Sequence, residues 1–215
     1  DVPHSTIRSG SAIHAATAAS LRCSAMCAST AARGSEAGEA SGKVAAAIAA
    51  TRNVGSQYLL AAVRRITRGT SEAIEDRVIA LSHDAMTVSR TLDDAVRQYL
   101  SESGGPADNR APIVRAANQV IRLRGAADLI ADVPHPPPLT AYPRAREVID
   151  AHADSVCDRL TGHEDPSTWS PISDELVLAL RAESTGDEVA VAAALPLVTV
   201  AAYLGELELV YPVIK

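Results

Sequence analysis

The segment from Ser71 to Leu100 carries the clearest periodicity in the chain and limits the fold more than any other feature. Apolar residues recur there at alternating intervals of four and three, at Ile74, Val78, Leu81, Ala85, Val88, Leu92, Ala95 and Tyr99. This spacing places them on one face of a helix, with the charged residues elsewhere. Such a helix is a rod about 45 Å long at ~1.5 Å per residue. It needs other long helices beside it, so we expect an antiparallel helical bundle.

The composition favours helix over strand throughout. The 215 residues include 41 alanines, one Trp, five Tyr and no Phe, and 47% are hydrophobic. Alanine is the best helix former and its small side chain lets helices approach closely, whereas strands prefer branched and aromatic residues. A chain of this length can bury a large core. We therefore expect a single all-α domain over 1–215, with about six or seven helices.

The first seventy residues predict two helices separated by a loop. Small residues dominate from Ile7 to Cys27 and favour a tightly packing helix, whereas the Gly- and Ser-rich stretch AARGSEAGEASG at 31–42 favours a loop. A second Ala-rich helix is expected from about Lys43 onward through YLLAAVRRI, with Gly55 as a candidate break.

Two more helices are predicted between the break at 101–109 and the break that follows Leu160. Pro112 is suited to the first turn of one of them. The face of that helix consists of Ile113, Ala117, Val120, Leu123, Ala127 and Ile130. The next helix is expected from about Arg144 to Leu160, with a face formed by Val148, Ile149, His152, Val156 and Leu160. The proline cluster DVPHPPPLTAYP between them predicts a rigid extended connection, with polyproline recognition as the alternative.

The last two helices are predicted from their N-terminal signals. Ser170 and Pro171 are suited to the cap and the first residue of a short helix that ends near Arg181. Thr185 and Glu188 form a capping box, which indicates that the final helix begins in water.

An uncharged stretch from Val189 to Gly205 follows this capping box. It is just shorter than the ~18 to 20 residues needed to cross a hydrocarbon core, and Pro196 interrupts it. We expect a helix buried by its neighbours with a kink at the proline, and a membrane span is the alternative.

The sequence lacks the charge pattern of a nucleic-acid binder. The net charge is −6, and Lys43 and Lys215 are the only lysines among 20 basic residues. Nucleic-acid binding uses basic runs and aromatic side chains that stack on bases, and this acidic chain has neither. We therefore expect no nucleic acid among its partners.

Catalytic, metal and cofactor sites are not predicted either. The chain contains no phosphate-binding glycine loop, HExxH or nucleophile elbow. Cys23 and Cys27 stand four residues apart, but no second Cys or His pair follows at zinc-finger spacing, so buried thiols are expected. The odd count of three cysteines fits a reducing compartment. A helical enzyme would require His152 or His83 to meet carboxylates in one pocket.

The candidate ligand-binding residues are arginines on two predicted helices and one tyrosine beside them. They are Tyr58, Arg64, Arg65, Arg68, Arg122 and Arg124. Arginine at a helix groove can bind a carboxylate through two parallel hydrogen bonds, which suits a small anionic molecule. The alternatives are arginines paired with the surplus of acids, and arginines that face lipid headgroups or the loops of a membrane domain.

Four segments follow one another in an order that is shared with a known family. They are TLDDAVRQYLSESG at 91–104, PIVRAANQVIRLRGAADLI at 112–130, RLTG at 159–162 and LRAESTGDEVAVAAALPLVTVAAYLGELE at 180–208. This order resembles the soluble part of FUSC-type membrane proteins, the fusaric acid resistance and aromatic acid exporter-like transporters, in their short actinobacterial branch. The resemblance covers about residues 56–208. The stretch AAVRRITRGT at 61–70 departs from the pattern, because the relatives are richer there in proline and aromatic residues.

The resemblance implies a cytosolic regulatory or assembly domain of an integral membrane transporter. According to this resemblance, the chain is the soluble part of a larger membrane protein and lies on the cytoplasmic side of the cell (inner) membrane. Its implied partners are its own membrane domain, which is absent from this chain, further copies in a homo-oligomer, and an anionic or aromatic compound. The alternative is a soluble ligand-binding helical bundle, such as the effector domain of a regulator.

Overall fold

Six helices make up the part of the chain that the structure describes. The structure is a computed structural model and describes residues 11–102, 110–134, 138, 140–161, 172–184, 186 and 188–210, with side chains from Glu39 onward except at 40, 102, 173, 209 and 210. The helices are α1 Ser11–Arg68, α2 Glu72–Glu102, α3 Arg110–Ala131, α4 Pro143–Thr161, α5 Ile172–Glu183 and α6 Glu188–Val210. No strand occurs in these ranges, which confirms the predicted all-α fold.

Helix α2 uses the predicted heptad stripe to pack on the rest of the bundle. Of the eight stripe residues none is exposed, and five are buried: Val78, Leu81, Ala85, Leu92 and Tyr99. The α1–α2 contacts show the direction of packing, since Arg65 bonds to Glu75 near the turn and Thr51 bonds to the Val88 carbonyl farther away. The two helices are therefore antiparallel.

Helix α1 is continuous over 58 residues. The predicted loop at 31–42 is therefore wrong, and so is the predicted break at Gly55. A glycine costs a helix only about 1 kcal/mol relative to alanine, which neighbouring helix formers can offset. Glu39 and Lys43 add an ion pair of 2.9 Å across one turn of the helix.

Gly55 has a packing role instead of a breaking role. It is buried in α1, and a Cβ at this position would lie 3.0 Å from Cδ2 of Leu123 on α3. The missing side chain lets α1 and α3 approach each other closely.

Two apolar clusters hold the helices together, and α1 runs through both. The larger cluster draws buried residues from all six helices, including Leu59 and Ile66 of α1. The smaller cluster joins Val44 of α1, Leu92 of α2 and Val120 of α3 without any residue of α4, α5 or α6. Helices α1, α2 and α3 thus form a longer unit, and α4, α5 and α6 pack at the end nearest Arg68.

The beginnings of α4 and α6 are fixed by specific hydrogen bonds. The Glu183 carboxylate at the end of α5 accepts from the backbone N–H groups of Arg144 and Ala145, at 2.9 and 3.2 Å, and so caps α4. Tyr142 has a left-handed backbone (φ 55°), and its hydroxyl donates to the Ala190 carbonyl at 2.8 Å. The predicted cap residues Ser170, Pro171 and Thr185 lie outside the described residues.

Candidate functional site

Arg65, one of the predicted ligand-binding residues, joins three helices to one another. Its Nε donates to Glu75 Oε1 of α2 at 2.9 Å. Its Nη1 donates to the carbonyls of Ala131 and Val133 at the end of α3, at 3.3 and 3.1 Å. The Ala131 carbonyl is one that the helix end leaves without an intrahelical partner, and Val133 lies two residues beyond the helix. Arg65 therefore stabilises the C-terminus of α3.

Arg64 and Arg68 lie at the interface between α1 and α4. Arg64 Nη2 donates to Asp154 Oδ1 at 2.8 Å. Arg68 reaches Asp150 Oδ2 at 2.6 Å, and the Thr67 hydroxyl donates to the other oxygen of the same carboxylate at 2.6 Å. The two acids lie one helical turn apart on α4. The Arg64–Asp154 and Arg68–Asp150 pairs therefore form a row along the interface, which we call the α1–α4 ladder.

Arg146 extends this ladder and was not singled out from the sequence. It is 5% exposed, and it donates to the carbonyls of Ile66 and Thr67 at the end of α1, at 2.8 and 2.9 Å. It also donates to the carbonyls of Ala141 and Pro138 at 2.7 and 2.6 Å. Burial lowers the pKa of this guanidinium. Arg146 fixes the C-terminus of α1 against the connection that precedes α4.

The remaining predicted residues lie elsewhere on α1 and α3. Tyr58 is buried, and burial raises the pKa of its hydroxyl, with the nearby Asp128 carboxylate contributing. Arg124 pairs with the same Asp128 at 3.2 Å across one turn of α3, whereas Arg122 is exposed. The six predicted residues thus do not converge on one pocket.

A groove between α1 and α2 is lined by residues suited to bind an anion. Its volume is about 300 Å³, and it is lined by Gln57, Leu60, Ala61, Arg64, Ala73, Ile74 and Arg77. Arg64 is the one predicted residue among them. Its Nε is buried and has no hydrogen-bond partner in the described part of the protein.

Arg77 is the second cation of this groove, and the sequence reasoning missed it. Among the described residues it makes one long hydrogen bond, 3.5 Å to Gln57 Oε1. Its position could have been found from the α1–α2 turn, because residues at similar distances on either side of a turn face each other in an antiparallel pair. Two arginines that line one groove with Leu60 and Ile74 suit a small anion with an apolar body.

His152 serves as a contact between α4 and α6. Its Nε2 lies against Glu208 Oε1, and Arg159 Nη2 approaches the same oxygen at 3.5 Å. The side chains of His152 and Glu208 are 9% and 6% exposed. His152 also lines a groove with Glu147 and Glu175, so it meets carboxylates at the edge of the α4–α6 interface. The described residues contain no group of three or more potential metal ligands.

The outer face of α6 is apolar and open to solvent. Among the described residues this helix alone is long and apolar enough to span a membrane, with a mean hydropathy of 1.8 over Glu188–Glu208, and 33% of its apolar window is buried. Its inner face is packed into the core through Leu197, Val200, Leu204 and Leu207. The expectation of a helix buried by its neighbours therefore holds for one face only.

Val191, Leu195, Val198 and Ala202 form a row on the outer face, which we call the α6 stripe. The first three are 63%, 66% and 45% exposed, and Ala202 is exposed as well. They are spaced by four, three and four residues, so they lie along one line of the helix. Val189, at 77% exposed, lies near the start of the same helix.

Comparison of the chain with protein-family models, with curated proteins and with solved structures found no match. The geometry of the α6 stripe and of the α1–α2 groove therefore carries the functional argument.

Proposed function

We propose that this chain is the cytosolic assembly domain of an integral membrane protein of the FUSC, aromatic acid exporter-like type. The observation that carries the proposal is the exposed apolar face of α6. Soluble monomers rarely leave a row of large aliphatic side chains open to water, and such rows usually mark a contact with a protein or a membrane. The proposal gives this face a partner within the parent protein.

The packing of α6 supports an assembly role over a spanning role. Leu197, Val200 and Leu204 are fully buried in the domain core. Inserting α6 into a bilayer would expose this core and separate Glu208 from His152. The helix is therefore suited to lie in the soluble domain and to present its outer face to a neighbour. In this proposal the membrane spans belong to another part of the parent protein.

Fractionation of the full-length parent protein tests this proposal. We expect the protein to remain in the membrane fraction after a carbonate wash. We also expect protease to cut this region in inverted vesicles and to leave it intact in spheroplasts. A parent protein that is soluble, or a region that is cut from the outside of spheroplasts, would contradict the proposal.

The α1–α2 groove favours a second candidate function, a soluble ligand-binding bundle. The probe is 4-hydroxybenzoate, with the neutral 4-hydroxybenzamide as its matched control. A bound ligand stabilises the folded state according to its concentration relative to Kd, about 2.7 kcal/mol at a hundredfold excess. The groove predicts a rise in Tm with the acid and no rise with the amide.

Variants of Arg77 test whether the groove is the binding site. Arg77→Ala removes one of its two guanidinium groups and should abolish the rise in Tm. Arg90→Ala, on the same helix and exposed, is the control that should retain it. If the acid raised the Tm of both variants equally, its binding site would lie elsewhere. If the acid did not raise the Tm of the unchanged chain, the second candidate function would be refuted for this ligand.

A further inference from the structure

The α6 stripe has the spacing of a helix-pairing seam. Its intervals of four, three and four residues are those of the a and d positions of a coiled coil, at which side chains of one helix fit between those of a second. The opposite face of α6 already packs on α3, α4 and α5. The seam is therefore left without a helix among the described residues.

We propose that the α6 stripe binds the α6 stripe of a second copy of this chain, antiparallel and about a two-fold axis near Pro196 and Leu197. The inference rests on the proposed assembly function and names its partner. A two-fold contact uses the same surface on both copies, so the surface must be complementary to itself.

The stripe meets this condition in the antiparallel direction. Leu195 then faces Val198 of the second copy, and Val191 faces Ala202, so each layer pairs a larger side chain with a smaller one. A parallel pair would place Leu195 against Leu195 and Ala202 against Ala202, which fills the seam unevenly. Antiparallel helices also place their dipoles in a favourable arrangement.

Charge is consistent with a copy of the same chain as the occupant. The helix carries no charged residue from Val189 to Gly205. The seam therefore offers no charge pattern to select a different protein, and pairing with itself buries no unpaired charge.

Pro196 argues against lipid as the occupant. Its ring nitrogen has no hydrogen, so the Ala192 carbonyl lacks its usual helical hydrogen bond. Ala192 is exposed at the flank of the stripe. Hydrocarbon would leave this carbonyl unsatisfied, whereas the flank of a helix pair stays in water.

The size of the seam sets the expected affinity. Stable protein interfaces bury about 1,600 Å² in total, and a single row of aliphatic side chains buries much less. We therefore expect a weak dimer of the isolated chain, with a Kd on the order of 10 to 1,000 µM. Tethering protomers in one membrane assembly supplies effective concentrations in the millimolar range, at which such a contact is occupied.

Sedimentation velocity of the whole 215-residue chain between ~5 µM and ~1 mM tests the pairing. We expect a reversible shift from monomer to dimer. Leu195→Glu should weaken it at least about tenfold, since it places a charge at the centre of the seam. Ile79→Glu is the matched control, because Ile79 is a large exposed aliphatic residue of α2 (57% exposed), and it should leave the Kd unchanged. Circular dichroism checks that both variants fold.

Disulfide trapping tests the direction of pairing. In a background in which Cys23 and Cys27 are serine, copies with Val191→Cys and copies with Ala202→Cys are mixed and oxidised. The antiparallel pair gives the mixed 191–202 disulfide. A 191–191 disulfide would overturn the proposed direction.

Three outcomes would overturn the proposal as a whole. The first is that the chain stays monomeric at 1 mM, and the second is that Leu195→Glu leaves the dimer intact. The third is that the chain floats with phosphatidylcholine vesicles and Leu195→Glu abolishes this flotation, which would assign the stripe to lipid. None of these depends on where the parent protein fractionates. A soluble parent with an intact α6 dimer would refute the proposed function and leave the pairing standing.

Discussion

Replacing Arg146 by methionine should destabilise the domain strongly, because this arginine is 5% exposed and bonds to four backbone carbonyls. Methionine keeps most of the length and removes all the donors. Four backbone carbonyls then lose the Arg146 donors, two at the end of α1 and two before α4, and the Pro138 carbonyl keeps the Ala141 N–H at 2.9 Å. A buried acceptor left unsatisfied costs about 1 to 3 kcal/mol, and the acceptors nearest the surface can recruit water.

The expected loss in the free energy of unfolding is therefore about 3 to 5 kcal/mol, the usual range when one partner of a buried charged network is removed. Domains of this kind have about 5 to 15 kcal/mol in total. Buried ion pairs can sometimes be replaced by apolar residues without loss, because both partners are replaced together. Here the partners are backbone carbonyls, which no side-chain substitution removes.

Urea unfolding followed by circular dichroism at 222 nm measures this loss. Arg144→Met is the matched control, since Arg144 lies two residues away on the same helix with an exposed side chain, and it should change stability by less than about 0.5 kcal/mol. Arg146→Lys should fall between the two, because an ammonium group cannot reach all four carbonyls. A loss below about 1 kcal/mol for Arg146→Met would refute the capping role assigned to this residue.

Two further outcomes are expected. Gly55→Ala should lower the free energy of unfolding by up to about 2 kcal/mol, because overpacking against Leu123 exceeds the gain of about 1 kcal/mol in helix propensity. Gly125→Ala is the control and should raise the free energy of unfolding, because a Cβ there meets open space. Equal effects of the two substitutions in urea unfolding would contradict the close approach of α1 and α3. Burial raises the pKa of the Cys157 thiol to about 12 from an ordinary 9.0, so the stability that it contributes is complete below pH 9 and is lost as the pH rises toward 12. Peptide mapping after iodoacetamide treatment at pH 8 should find Cys157 unmodified in the folded protein and modified in urea, and rapid modification of the folded protein would refute its burial.

The sequence was sufficient for helices that have one apolar face. The stripe of α2 was predicted residue by residue, because a period of 3.6 is a local property. Helix α1 was divided wrongly, because the glycines and serines at 31–42 were given more weight than the helix formers around them. Local composition does not determine whether a glycine is tolerated, since the answer depends on neighbours such as Leu123 at Gly55.

The candidate site was less predictable, because its contacts join distant parts of the chain. The pair of Arg124 and Asp128 spans four residues and can be read from a helical pattern. Arg64 and Asp154 lie 90 residues apart, and only the packing of α4 on α1 brings them together. Arg146 carried a usable signal, since it precedes the buried Ile149 by three residues and so shares its face.

The exposed face of α6 could not be inferred, since apolar residues occur on all sides of this helix. Such a pattern gives no direction for the buried side. Only the position of α3, α4 and α5 shows that Leu197 lies inside and Leu195 outside.

The α1–α4 ladder also delays the packing of the carboxyl end of α1 during synthesis. Helices α1, α2 and α3 share a cluster of their own and can pack once α3 has been made. Helix α4 ends at Thr161, some thirty residues later, which takes about 1 to 6 seconds at ~5 to 20 residues per second. During this interval the carboxyl end of α1 lacks Arg146, Asp150 and Asp154, and the side of α1 that α4 will cover stays open. A chaperone that binds the nascent chain should therefore act while the segment between α3 and α4 is being made.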